Sequence, residues 1–259
     1  METAYSSAPA HLSRQASLFA WLSATSVACL VIANVIGVKL FNIPLFHYTT
    51  QEMVDGKLTD VVKPFAVIHT AGMLTFPITF LITDLINEYY GKRAARRVAL
   101  ISFAMGMLVF FVIKIAQAMP YLDAPYNVEQ RAFDQILGSS TGMYLASMAA
   151  FLLGSFADIT LFGWIKRITG NRLVWLRATG STVVSQMLDS FIVTYLAFSV
   201  FRQIGGGAGA EPMPFGEVLK AAATGYTLKF VISLSLTPII YAGRWLIRTY
   251  MGMQPLPPE

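Results

Sequence analysis

The sequence predicts an all-α integral membrane protein, a bundle of six transmembrane helices with both termini cytoplasmic. Long apolar blocks recur along the chain, beginning with SLFAWLSATSVACLVIANVIGVKL over residues 17–40, which carries no charge before Lys39. A hydrocarbon core of ~30 Å needs roughly 20 apolar residues of helix. Hydrophobic residues make up 55% of the chain and charged residues 13%, against an average of about 25% charged in soluble domains. Basic residues gather in alternate connections, the pattern of cytoplasmic loops.

The blocks place spans at roughly 17–40, 65–88, 98–118, 142–165, 178–200 and 218–243. A single transmembrane domain then covers 17–245, between an N-terminal tail (1–16) and a C-terminal tail (246–259). The first block exceeds the ~7–15-residue apolar core of a cleaved signal peptide. Its Cys29, the one cysteine, reads as a small packed hydrophobe. Pro77 and Pro238 would kink the second and sixth spans and free carbonyls for neighbours or a cavity. Between spans, Phe41–Pro64 mixes Asp55, Gly56 and Asp60 with apolar residues and yields no assignment. Asn127–Leu137 sets Val128, Ala132, Phe133, Ile136 and Leu137 on one helical face and Glu129, Gln130 and Asp134 on the other, a short amphipathic helix at the outer interface. Gly205–Gly209 reads as a flexible turn.

Of the 19 basic residues, eleven fall in the segments assigned to the cytoplasm, including Lys92, Arg93, Lys166, Arg167 and Arg244, and six in the outer ones. This bias orients the bundle. It also accounts for the pI of about 9.3 through short loops and anionic lipid rather than nucleic acid. No GxxxxGK[ST], HExxH or CxxC stretch occurs, so the motifs supply neither a P-loop nor a metal site. The chain does not read as an enzyme, and no cofactor or metal is expected.

Charges inside the spans carry the functional argument. A lone charge at the bilayer centre costs at least ~2.5–3.5 kcal/mol. Asp189 and Lys229 lie near the middle of spans five and six, either as a register-fixing ion pair or as part of a substrate site. Ser181, Ser185 and Asp189 follow i, i+4, i+8 spacing with Gln186 on the neighbouring edge, so one face offers hydroxyl, amide and carboxylate. The serines could equally bond back to their own helix. Asp84 and Glu88 stand one turn apart near the cytoplasmic end of span two, and Asp158 stands in span four. Asn34 is polar within span one, as a helix contact or a ligand contact. His69 reads as a satisfied helix histidine, and Lys114 as a snorkelling cation.

The stretches FPITFLITDLINEYYGKRAARR (76–97), WLRATGSTVVSQMLDS (175–190) and YTLKFVISLSLTPIIY (226–241), with an aspartate in span four between the first two, resemble the queuosine precursor transporter family, earlier described as vitamin uptake transporters. The resemblance covers about residues 17–245. It implies a multi-pass bacterial inner-membrane importer that works without an ATPase partner. Its substrates would be 7-cyano- and 7-aminomethyl-7-deazaguanine. It also implies substrate-binding roles for Asn34, Asp84, Asp158, Ser181, Gln186, Asp189 and Lys229, with Glu88 and Arg177 as further candidates. Ser190 stands where the family pattern has Thr, and the outer connection is long. The expected partners are the small base and the lipid bilayer, and a homodimer is compatible. Alternatives are the substrate-binding subunit of a multi-subunit vitamin importer and a non-transporting membrane scaffold.

Overall fold

The structure, a computed structural model, describes residues 13–54, 57–137, 141–170, 173–201 and 212–257. It is mostly helical, as a chain in hydrocarbon must be if each backbone N–H is to find its partner within its own segment. Helix α1 (Arg14–Ile36) opens on Ser13, whose Oγ accepts the Ala16 N–H at 3.2 Å. Strands β1 (Leu40–Val54) and β2 (Lys57–Thr70) then form an antiparallel hairpin. A 3₁₀ turn (Ala71–Thr75) leads into α2 (Phe76–Ala118), with Pro77 in its first turn. After the short α3 (Gln130–Leu137) come α4 (Thr141–Ile168) and α5 (Val174–Tyr195), which ends in a π turn (Leu196–Val200). Helices α6 (Phe215–Ser235) and α7 (Thr237–Met251) are bent by 40° at Leu236, with Pro238 just beyond it.

Helix α2 is two arms joined at Gly91, whose φ of 82° and ψ of 170° belong to a backbone region open essentially to glycine alone. Contacts with α1 give the arms' directions. Before the break, a Cβ on Gly72 would stand 2.5 Å from the Ala33 carbonyl oxygen near the end of α1, whereas the Tyr90 hydroxyl donates to the Gln15 carbonyl near its start. After the break, Ser102 meets Ser26 at 3.4 Å and Phe110 packs on Leu30. The first arm therefore runs against α1 and the second alongside it. The break frees the Glu88 carbonyl, which accepts the Leu256 N–H at 3.0 Å. The C-terminal segment thus folds back under the bundle, burying Met253 against Leu85, Tyr89 and Ile247.

Among the described residues, four helical segments are long and apolar enough to cross a membrane, or five when α6 and α7 count as one bent span. Several sequence expectations need correction. Residues 65–70 of the expected second span belong to β2, and its helix starts at Phe76. The expected 65–88 and 98–118 spans are arms of one element, and 218–243 is divided at Leu236. Helix α1 starts before residue 17 and α7 extends past 245. The all-α description omits the hairpin that occupies the unassigned connection. The amphipathic segment is helical from Gln130, and Gln117 at the end of α2 donates to Asp134 on it at 3.0 Å. Lys114 donates to Gln117 at 3.1 Å. The expected turn at Gly205–Gly209 lies outside the described residues.

Candidate functional site

Helices α4 and α5 approach closely where Gly154 stands: a Cβ there would lie 3.4 Å from that of Asp189. This closeness brings the polar face of α5 onto Asp158 of α4. Asp158 is fully buried, and its Oδ1 accepts from Ser185 at 3.2 Å and Thr182 at 3.4 Å. Its Oδ2 has no hydrogen-bond partner. Across from it, Lys229 of α6 donates to Asp189 Oδ2. The two central charges are therefore paired, and both also line a cavity.

These groups line a cavity of about 190 Å³ with Asn34, His69 and Gln186. Asn34, His69, Asp189 and Lys229 also line a wider cavity of about 730 Å³, which reaches Leu40 at the foot of the hairpin and Gln135 of α3. These shared residues stand between a wide chamber and a narrow polar one that holds Asp158 and Gln186. Asn34 Nδ2 donates to the Leu30 carbonyl at 2.9 Å, and its Oδ1 accepts from Ser147 at 3.3 Å. His69 sits in β2, not in a helix, and its Nδ1 accepts the Thr70 N–H at 2.9 Å.

The remaining candidates line neither cavity. Ser181 is buried and donates to the Ala178 carbonyl at 3.3 Å, outside both cavities. Asp84 is 2% exposed, lines neither cavity, and neither carboxyl oxygen has a hydrogen-bond partner. Glu88 and Arg177 belong to a separate charge cluster. Arg177 donates to Glu88, and Lys166 and Arg244 each reach the same carboxylate at 3.2 Å, so α2, α4, α5 and α7 are joined at one point. Arg177 lies twelve residues before Asp189 on α5, roughly 18 Å along the axis. Sequence reasoning missed Lys166 and Arg244 as members of this cluster, and Thr182 and Ser147 near the cavity. It named His69, but as a satisfied helix histidine rather than a cavity residue. Among the described residues, no group of three or more His, Cys, Asp or Glu is placed to hold a metal ion.

Residues 70–243, which contain these groups except Asn34, His69 and Arg244, match the family described as "Putative vitamin uptake transporter". The chain belongs to this family. Its members are transporters, not enzymes. A Bacillus subtilis relative named "Probable queuosine precursor transporter" is 30% identical over 192 residues, covering 74% of this chain and 78% of the relative. The Escherichia coli "Queuosine precursor transporter" is 26% identical over 61% of this chain and 68% of its own length. A Haemophilus influenzae relative, also named "Probable queuosine precursor transporter", is 25% identical, and the match spans about half of each chain, 52% and 54%. No solved structure matches.

Proposed function

We propose that the chain is a bacterial inner-membrane importer of 7-deazaguanine bases, 7-cyano- and 7-aminomethyl-7-deazaguanine, acting without an ATPase partner. The names of its relatives support the substrate class. The observation that carries the chemistry is Asp158, a buried carboxylate with one oxygen held by two hydroxyls and the other unpartnered at the wall of the polar cavity. A guanine-like edge presents N1–H and an exocyclic amine side by side, and a carboxylate accepts both. Gln186 or Lys229 donates to the O6 carbonyl. The base enters through the wide chamber, and the Asp189–Lys229 pair and Asn34 stand at its passage into the narrow one. The Glu88 cluster, tying four helices together, closes the far side. Six crossings, with α6 and α7 as one bent span, are supported by the opposed arms of α2, and cytoplasmic termini by the distribution of basic residues.

Purified protein in liposomes without any partner should take up labelled 7-deazaguanine, and competition should favour bases that keep the exocyclic amine. A base lacking it leaves a buried acceptor unmade, a loss of about 1–3 kcal/mol or roughly 5- to 150-fold. Asp158→Asn, which presents one acceptor beside a repelling donor, should flatten that ranking. No uptake by the protein alone would favour the importer subunit or the scaffold. Unchanged ranking in Asp158→Asn would remove this carboxylate from base recognition.

A further inference from the structure

A third cavity, of about 220 Å³, lies on the other side of the Glu88 cluster, where α2 breaks and α4 ends. Gly91 and Lys92 of α2 and Thr160, Trp164, Lys166 and Arg167 of α4 line it. Three of these residues are cations, and no carboxylate is among the lining residues. Lys166 shares Glu88 with Arg177 and Arg244, so its charge is only partly offset. Lys92 and Arg167 have neither an ion pair nor a hydrogen bond among the described residues. Positive charge concentrated in a concave site, and offset among the described residues only by Glu88 at Lys166, is satisfied by an anion, and guanidinium and ammonium groups together suit the oxygens of a phosphate ester.

The surroundings indicate which ester. Trp164 is 60% exposed, as an indole at a membrane–water boundary is. Farther along the two helices that line the cavity, Leu100 and Ile101 on the second arm of α2 and Leu153 on α4 present exposed apolar surface. Arg96 bridges those two elements, donating to Thr160 at 3.2 Å while lying 5.9 Å from the centre of the Phe156 ring. A basic pocket beneath an apolar helix surface is shaped for a molecule with a charged head and a hydrocarbon tail. We propose that this cavity binds the phosphate headgroup of an anionic phospholipid. Only the leaflet, cytoplasmic, rests on the orientation given above; the site itself does not.

The test uses purified protein in non-ionic detergent, where neither orientation nor substrate enters. Thermal unfolding is followed as phosphatidylglycerol, phosphatidylcholine or inorganic phosphate is added. Phosphatidylglycerol should stabilise the protein saturably and phosphatidylcholine should not. In Lys92→Gln/Arg167→Gln the half-saturating concentration should rise roughly 10- to 30-fold, in line with about a fivefold step per lost cation. Gly163→Leu gives an independent check, because Gly163 lines the cavity and a Cβ there meets nothing within 4 Å. It fills space while leaving every charge in place, and it should weaken the phosphatidylglycerol effect as strongly. Lys220→Gln, at the start of α6 and outside this cavity, should behave as wild type. Equal protection by inorganic phosphate would overturn the lipid as ligand. Equal protection by the two lipids, or an undiminished effect in Gly163→Leu, would overturn the site.

Discussion

Lys229 and Asp189 each make the other tolerable inside the bundle. Removing one partner of a buried pair costs about 3–5 kcal/mol, because the other charge is left uncompensated. Asp189→Asn and Lys229→Met should therefore each lower the yield of folded protein, read by size-exclusion chromatography. The double variant should regain folding while uptake stays lost; two fully active single variants would end the idea. These two residues were legible in the sequence because depth within an apolar block is a linear property. The cluster around Glu88 was not. Lys166 and Arg244 looked like the ordinary basic ends of spans, and nothing in the one-dimensional pattern says which basic ends turn inward onto a carboxylate. Asp84 and Ser181 were singled out by spacing along their helices, but which residues line a cavity is decided by how the helices meet, and these two stay behind Asp158 without reaching either cavity.

At the scale of elements, the hairpin shows what hydropathy leaves open. Phe65-Ala66-Val67-Ile68 is as apolar as the helix after it, and a short apolar run reads alike as strand or helix. The informative residues were Asp55-Gly56, a pair favoured in two-residue hairpin loops, lying between strands that pair from Leu40↔Thr70 to Val54↔Lys57. Gly91 was equally quiet, one glycine before a basic run. Its replacement by Ala forces a side chain into a backbone region that costs about 1–3 kcal/mol. Thermal unfolding of Gly91→Ala in detergent should show a lowered midpoint. Gly163→Ala, in a regular helix with open space at its Cβ, should be neutral or stabilising by up to ~1 kcal/mol. An unshifted Gly91→Ala midpoint would mean that the break does not require glycine.

For the whole molecule, the order of elements and the alternation of basic ends make a topological claim. Reporter fusions after Gly170 and after Gly252 should report a cytoplasmic location, and a fusion after Pro125 an external one. An external signal at Gly170 would overturn the six-crossing arrangement. The membrane class and the central polar site were readable from composition and intramembrane charge. The two chambers were not, since cavities arise from how helices cross rather than from what each contains.

The Glu88 cluster also sets an order of assembly. Its members emerge from the ribosome one after another: Glu88 first, then Lys166, Arg177 and Arg244, and last Leu256, whose N–H closes on the Glu88 carbonyl. A nascent chain that has not reached α7 holds an incomplete knot of charge, lacking Arg244 on the Glu88 carboxylate. The segment from Gly252 to Leu256 completes the fold, so an insertion there would be felt at the joint of four helices.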